Sequence, residues 1–119
     1  MEQCVAERTP VVVFVHDGNF TGSGSFRCAS QRTRIRRELG CLAAEIEFPD
    51  VGGMTAEEAY DVVAGRCDAH AEVVLVGVSS GGFVAAACGD RPSVVAVVAL
   101  ASPLTPFSRA PLPSRLPSK

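Results

Sequence analysis

The sequence predicts an α/β fold, in which a short parallel sheet of about four strands is covered by helices on both faces. Three observations favour it: apolar, β-branched runs typical of buried strands, segments of helical periodicity between them, and turn residues at the boundaries. Strands that alternate with helices imply right-handed crossovers. The 119 residues, 47% of them hydrophobic, fit a single domain. A formal net charge of −2 gives no electrostatic footprint for nucleic acid.

The first third of the chain predicts a buried strand, a long loop and a helix. Val11–Val15 is a continuous run of valine and phenylalanine, and the Gly/Ser-rich loop after it extends to Ser25. A helix is expected over Gln31–Leu39, with Ser30 as its cap and Gly40 in the position of a C-cap glycine. These signals set the order of the amino-terminal elements.

The middle of the chain predicts an edge strand and a well-capped helix. Leu42–Phe48 alternates in polarity, as a half-exposed or edge strand does. Thr55 and Glu58 have the spacing of a capping box, in which each side chain bonds the other residue's backbone amide. The helix that follows has one apolar face, formed by Ala59, Val62, Val63 and Cys67.

The last part of the chain predicts a second strand–helix–strand unit. Glu72–Val78 is the most strand-like segment, Ser80–Cys88 is a helix of small residues, and Val94–Ala101 is a final buried strand. We expect residues 1–105 to form the folded core. Residues 106–119, which are rich in proline and serine, are expected to be extended or disordered.

The strongest chemical signal is the G-x-S-x-G pattern of Gly77–Gly81, between a predicted strand and a predicted helix. Ligand sites of open parallel sheets lie at the carboxyl ends of the strands, where this pattern falls. A sharp turn there strains the backbone of Ser79, while Gly77, Gly81 and Gly82 let strand and helix approach closely. Ser79 is therefore the candidate nucleophile. The alternative is a Gly/Ser turn that merely packs the helix against the sheet.

A second signal is the loop His16–Phe20, which follows the first strand at the same predicted edge of the sheet. Loops of this kind supply backbone amides to an oxyanion hole, together with the residue after the nucleophile. The candidate donors are the amides of Asp17, Gly18, Asn19 and Ser80. The alternative is a turn in which the Asp and Asn side chains bond their own backbone.

The two motifs together resemble the α/β-hydrolase superfamily, in particular the esterase and lipase branch with an H-G-G-G-F-type oxyanion loop and a G-D-S-A-G-G elbow. His16–Phe20 is similar to the loop, Gly77–Gly82 to the elbow, and Val97–Pro103 to the strand that follows. The resemblance covers roughly residues 10 to 105. It implies a three-layer sandwich with the family's strands in the order 4-3-5-6, and a serine hydrolase of esters or thioesters that needs no cofactor and no metal.

The chain departs from that family after the nucleophile. The family's triad runs serine, acid, histidine along the chain, whereas no histidine follows Ser79 and Asp90 is the one acid that does. Asp90 and His70 are both expected at the opposite edge of the sheet. His16, at the same edge as Ser79, is the candidate base. The chain thus resembles a hydrolase truncated before the strands that hold the acid and the histidine.

Three functions follow from these patterns. The first is a serine ester hydrolase of weak or no activity, and the second is an inactive hydrolase remnant that binds a partner. Loss of the later strands leaves Val94–Ala101 as an apolar edge, which favours a homodimer or a partner complex. The third is a small flavodoxin-like module that binds an anion at the Gly77–Gly82 turn. The chain has neither a G-x-G-x-x-G pattern nor a Walker lysine, and this argues against the third function.

The remaining features favour ordinary structural roles. The five cysteines include no C-x-x-C pair and the first residues show no secretory signal, so unpaired thiols and a cytoplasmic location are expected. The longest apolar runs are too short to span a bilayer. A solvated helix face, rather than an anion site, is expected for Arg32, Arg34, Arg36 and Arg37.

Overall fold

The computed structural model describes residues 10–17, 26 and 28–100. Its elements are, in order, β1 (Val11–Val15), α1 (Ala29–Leu39), β2 (Glu45–Glu47), α2 (Ala56–Asp68), β3 (Val73–Val78), α3 (Ser80–Ala87), a 3₁₀ turn (Cys88–Asp90) and β4 (Val94–Leu100). All strands are parallel, in the spatial order β2-β1-β3-β4. The predicted α/β fold and strand order are confirmed. The predicted boundary at residue 105 and the tail 106–119 lie outside the described residues.

Alternation along the strands divides the core into two layers. Odd-numbered residues of β1 and β3, such as Val13 and Leu75, pack against α2 and α3. Even-numbered residues face α1, where the ring of Phe14 lies 4.9 Å from that of Phe26 and 5.2 Å from that of Phe48. Each fully buried valine or leucine contributes about 1.5–3 kcal/mol to stability. Helices on both faces give the predicted three layers.

β2 is shorter than predicted. It begins at Glu45 rather than Leu42, because β1 offers pairing partners only from its own start. The amide of Ala44 donates to the carbonyl oxygen of Pro10 over 2.8 Å, and Glu45 is in register with Val11. The alternating pattern therefore predicts too long a strand, because it includes the residues before Glu45, where pairing with β1 begins.

Both ends of α1 also differ from the prediction. The helix begins at Ala29, and its N-cap is Cys28 in an extended conformation rather than Ser30. Gly40 ends the helix with φ −60°, so it is not the left-handed C-cap glycine that was expected. A Cβ atom at Gly40 would lie 3.0 Å from the carbonyl oxygen of Arg36. Close approach to the preceding turn, rather than a positive φ, favours glycine there.

α2 begins as predicted. The Thr55 hydroxyl accepts from the amide of Glu58 over 3.1 Å, and the Glu58 carboxylate accepts from the amide of Thr55 over 3.0 Å. Loss of such a cap lowers the stability of a protein by about 1 kcal/mol. The predicted apolar face of the helix points inward, with Ala59, Val63 and Cys67 buried in the core and Val62 packed against it.

The described cysteines differ in state. Cys28 is an exposed free thiol, whereas Cys67 and Cys88 are buried free thiols. Burial raises the pKa of Cys67 to about 11 and also raises the pKa of Cys88. Cys41 is disulfide-bonded. The expectation of unpaired thiols is therefore wrong for Cys41, and the cytoplasmic location stays a prediction.

The two edges of the sheet differ in character. β2 has three residues, including the carboxylates of Glu45 and Glu47. β4 has seven residues, all of them valine, alanine or leucine. In β4 the side chains of Val95, Val98 and Leu100 are 59%, 43% and 49% exposed. Among the described helices, none has both the length and the apolar character required to cross a membrane.

Candidate functional site

Ser79 lies between β3 and α3 with a backbone that serine rarely adopts. Its φ is 56° and its ψ is −124°, a conformation that costs about 1–3 kcal/mol for residues other than glycine. Hydrogen bonds on both sides fix it. The Ser79 amide donates to the carbonyl oxygen of Leu100 over 2.9 Å, at the end of the β3–β4 ladder. The Ser79 carbonyl accepts from the amides of Gly82 and Phe83, at 2.9 and 3.2 Å, and so begins α3.

The glycines on either side of Ser79 are required by close backbone contacts. A Cβ atom at Gly77 would overlap the carbonyl oxygen of Gly81 and lie 2.7 Å from the Cα of Gly82. A Cβ atom at Gly81 would overlap the carbonyl oxygens of Val15 and His16. The first turn of α3 therefore lies directly on β3 and on the end of β1.

The amino terminus of α3 falls at Ser79. The helix begins at Ser80, and the Ser79 hydroxyl makes no capping hydrogen bond to it. The positive end of the helix dipole favours negative charge at this point. A half-buried hydroxyl beside such an amide cluster has the surroundings in which a developing oxyanion is stabilised.

His16 is held by hydrogen bonds at both ring nitrogens. Its Nε2 accepts from the amide of Val51 over 2.9 Å, so the ring proton is on Nδ1, which donates to the carbonyl oxygen of Asp17 over 2.8 Å. The ring is 1% exposed, and the carboxylate of Asp50 lies 3.4 Å from Nε2. Within the described residues His16 and Ser79 share no hydrogen bond. The role of His16 as base stays a prediction, and these contacts do not support it.

Asp17 is the buried acid of the site. It is 6% exposed, and its Oδ1 has no hydrogen-bond partner among the described residues. The contact between the carbonyl of His16 and Gly81 places Asp17 next to the first turn of α3. Gly18 and Asn19, the other predicted oxyanion donors of the loop, lie outside the described residues. Their role stays a prediction.

His70 and Asp90 lie away from Ser79, at the opposite edge. Asp90 is an exposed residue of the 3₁₀ turn that precedes β4. His70 follows α2, where its Nε2 lies 2.8 Å from the carboxylate of Glu47. An open depression of about 470 Å³ occurs at this edge, lined by Asp68, His70, Ala71, Arg91, Pro92 and Ser93. This depression is separated from Ser79 by the length of β3 and is not part of the candidate site.

The ligand atoms of Glu45, Glu47 and His70 lie within 4.8 Å of one another, close enough for a metal ion. The Arg66 guanidinium, however, donates to both oxygens of the Glu47 carboxylate, at 2.8 and 2.7 Å. This pair lowers the pKa of Glu47, with a smaller contribution from the hydrogen bond to His70. Ion pairing therefore accounts for the cluster without a metal.

Two of the four α1 arginines cover the aromatic core. The guanidinium groups of Arg32 and Arg36 lie 5.2 and 4.8 Å from the ring centroid of Phe48. Arg32 also donates to the carbonyl oxygen of Phe26 over 2.6 Å. Arg34 and Arg37 are exposed. The arginine face was predicted to be solvated. On the side that faces the core, Arg32 and Arg36 also pack against the ring of Phe48.

The sequence did not reveal two features of the site. The amide of Val51, which fixes the ring of His16, follows Pro49 and Asp50 in a segment without periodicity, so no pattern marked it. The burial of Asp17 was also missed, because the sequence suggested only its backbone amide. The signal was present in part, since an acid two residues beyond the end of a fully buried strand is still close to the core.

Comparison of the chain with models of protein families, with curated proteins and with solved structures found no match.

Proposed function

We propose that this protein is a serine hydrolase of the α/β-hydrolase type, acting on a small ester or thioester with Ser79 as nucleophile. The observation that supports it most is the backbone of Ser79, strained at φ 56° between β3 and α3. Strain of this kind at a strand-to-helix turn is typical of an exposed nucleophile. The close contacts at Gly77 and Gly81 maintain it at the expense of stability.

In this proposal the Ser79 hydroxyl attacks the carbonyl carbon of the substrate. The amide of Ser80, with those of the loop Asp17–Asn19, stabilises the oxyanion, and the helix dipole of α3 adds to this effect. The alcohol or thiol of the substrate leaves, and the acyl group is held as an ester of Ser79 until water releases it. No cofactor takes part in this chemistry.

The test is labelling by a fluorophosphonate probe, which reacts with activated serines. We expect the wild-type protein to be labelled and Ser79→Ala to be unlabelled. Ser80→Ala is the matched control, since it removes a hydroxyl from the next residue and keeps the backbone amide. Absence of labelling in the folded wild-type protein, or equal labelling in Ser79→Ala, would contradict the proposal.

A second candidate function, an inactive hydrolase remnant that works as a binding or dimerisation module, is favoured by β4. Its seven uncharged residues form an edge strand with exposed Val95, Val98 and Leu100. Charges and shortness protect most edge strands from pairing, as they do in β2. Two copies of β4 in antiparallel pairing would bring no like charges together.

Sedimentation equilibrium over a range of concentrations tests this second function. We expect the wild-type protein to dimerise and Val98→Lys to be monomeric, because a lysine places like charges across a twofold axis. Leu42→Lys is the matched control, since Leu42 is 64% exposed and lies outside the sheet. A wild-type protein that stays monomeric at high concentration excludes the dimer.

A further inference from the structure

We propose that the carboxylate of Asp17 is the proton acceptor of Ser79. The inference rests on the proposed hydrolase function and supplies its missing base. Two hydrogen-bonding groups on adjoining segments support it. The Oδ1 atom of Asp17 is buried without a donor among the described residues, and the Ser79 hydroxyl makes no capping bond to α3.

The fold places the two groups on the same side of the sheet. The carbonyl oxygens of Val15 and His16 touch Gly81 in the first turn of α3. β1 ends at Val15, so Asp17 lies just beyond the strand and is joined directly to the His16 carbonyl that touches Gly81. Asp17 and Ser79 thus flank the same contact between β1 and α3.

A buried carboxylate oxygen without a donor is costly, because burial removes its water without replacing the hydrogen bond. Such an atom is a strong acceptor for a hydroxyl that comes within reach. The amino terminus of α3 makes the negative charge tolerable at this position. A buried carboxylate oxygen kept without a donor is therefore better explained by a transient partner than by packing.

The other candidate bases have different surroundings. Both nitrogens of His16 are used, one by the amide of Val51 and the other by the carbonyl of Asp17. Asp90 precedes β4 and His70 precedes β3, so both lie at the amino-terminal edge. Of the described acids, Asp17 combines burial with the correct edge of the sheet, and unlike the ring of His16 it has an atom without a hydrogen-bond partner.

With an ester substrate, Asp17 accepts one proton in each half of the reaction. The Ser79 Oγ forms a bond to the carbonyl carbon while its proton moves to the Asp17 carboxylate. The tetrahedral intermediate then breaks the bond to the alkoxide, which takes the proton from Asp17 and leaves as the alcohol. Water next gives a proton to Asp17 and adds to the acyl group. Release of the carboxylic acid returns that proton to Ser79.

The experiment compares labelling rates by a fluorophosphonate in wild type, Asp17→Asn and Asp17→Ala. Asn keeps the size of the side chain and an acceptor oxygen but cannot take a proton. We expect its second-order labelling rate to fall about 100-fold or more, the usual effect of removing a general base. Asp61→Asn, the same change at an exposed position of α2, should label at the wild-type rate.

Chemical rescue separates a base from a structural residue. Sodium formate should restore labelling in Asp17→Ala, because formate fits the space left by the carboxylate group, while sodium chloride should not. Circular dichroism checks that each variant is folded. Labelling of Asp17→Asn at the wild-type rate, or labelling of Asp17→Ala that formate leaves unchanged, would overturn the proposal. A wild-type protein that is not labelled refutes the hydrolase function itself.

Discussion

The amide of Ser79 donates a hydrogen bond of 2.9 Å to the carbonyl oxygen of Leu100. Through this bond the strained turn after β3 depends on the last residue of the edge strand β4. Because the carbonyl of Ser79 also accepts the first hydrogen bonds of α3, neither its φ nor its ψ is free to relax. The candidate nucleophile is thus constrained by elements on both sides of it.

Replacement of Ser79 by glycine should stabilise the fold. Glycine adopts a positive φ without the steric cost that serine has at 56°, so we expect the free energy of unfolding to rise by about 1 kcal/mol. Urea denaturation followed by circular dichroism measures it. Ser80→Gly is the control, and there we expect a loss of about 0.5–1 kcal/mol, because Ser80 has ordinary helical geometry. An equal loss in both variants would contradict the strain at Ser79.

Alanine at Gly77 or at Gly81 should destabilise the protein. In each case the added methyl group overlaps a backbone carbonyl, so the strand and helix must move apart, and we expect a loss of about 3 kcal/mol or more. Gly65→Ala is the matched control, because its Cβ atom would meet no atom within 4 Å. In the interior of α2 this change should raise stability, by up to about 1 kcal/mol. Thermal melting compares the three variants.

The thiols should react with iodoacetamide in a fixed order. A hydrogen bond from the Ser30 hydroxyl, followed by backbone amides of the first turn of α1, lowers the pKa of Cys28. Burial raises the pKa of Cys67 and of Cys88. At neutral pH we expect Cys28 to be alkylated first. Peptide mass mapping reads the order, and early modification of Cys67 or Cys88 in the folded protein would disprove it.

Acid should weaken the contact between Glu47 and Arg66. This pair lowers the folded-state pKa of Glu47 below the unfolded value of about 4.3. Its contribution to the stability of the fold is therefore fully present above that pH. It is lost as the pH falls through the folded pKa. We expect the urea midpoint of Glu47→Gln to drop less between pH 7 and pH 3 than that of the wild type. Glu45→Gln, an exposed change on the same strand, should follow the wild type.

Sequence reasoning succeeded where the determinant is local. The run of valines at Val11–Val15 and the capping box at Thr55 depend on neighbours within a few residues, and both are present in the structure. Alternation over Leu42–Phe48 was less reliable, because a strand extends only as far as its partner does. The start of β2 is determined by the start of β1, more than thirty residues away in the chain.

The candidate site shows the same division. The glycines at 77 and 81 are predictable, since the turn between a strand and a helix requires them. The state of the His16 ring is not, because it depends on the amide of Val51, 35 residues later. Likewise the burial of Asp17 depends on how α3 packs against the end of β1. Long-range packing, which has no periodic signature, decides both.

The contrast between the two sheet edges bears on the size of the proposed assembly. In the part of the chain that the structure describes, the ladder can be extended at β4, whereas short length and carboxylates block β2. Antiparallel pairing of two β4 strands uses the open site of both molecules at once. In the proposed dimer both open edges are consumed, so pairing of this kind would stop at two copies rather than elongate a fibril.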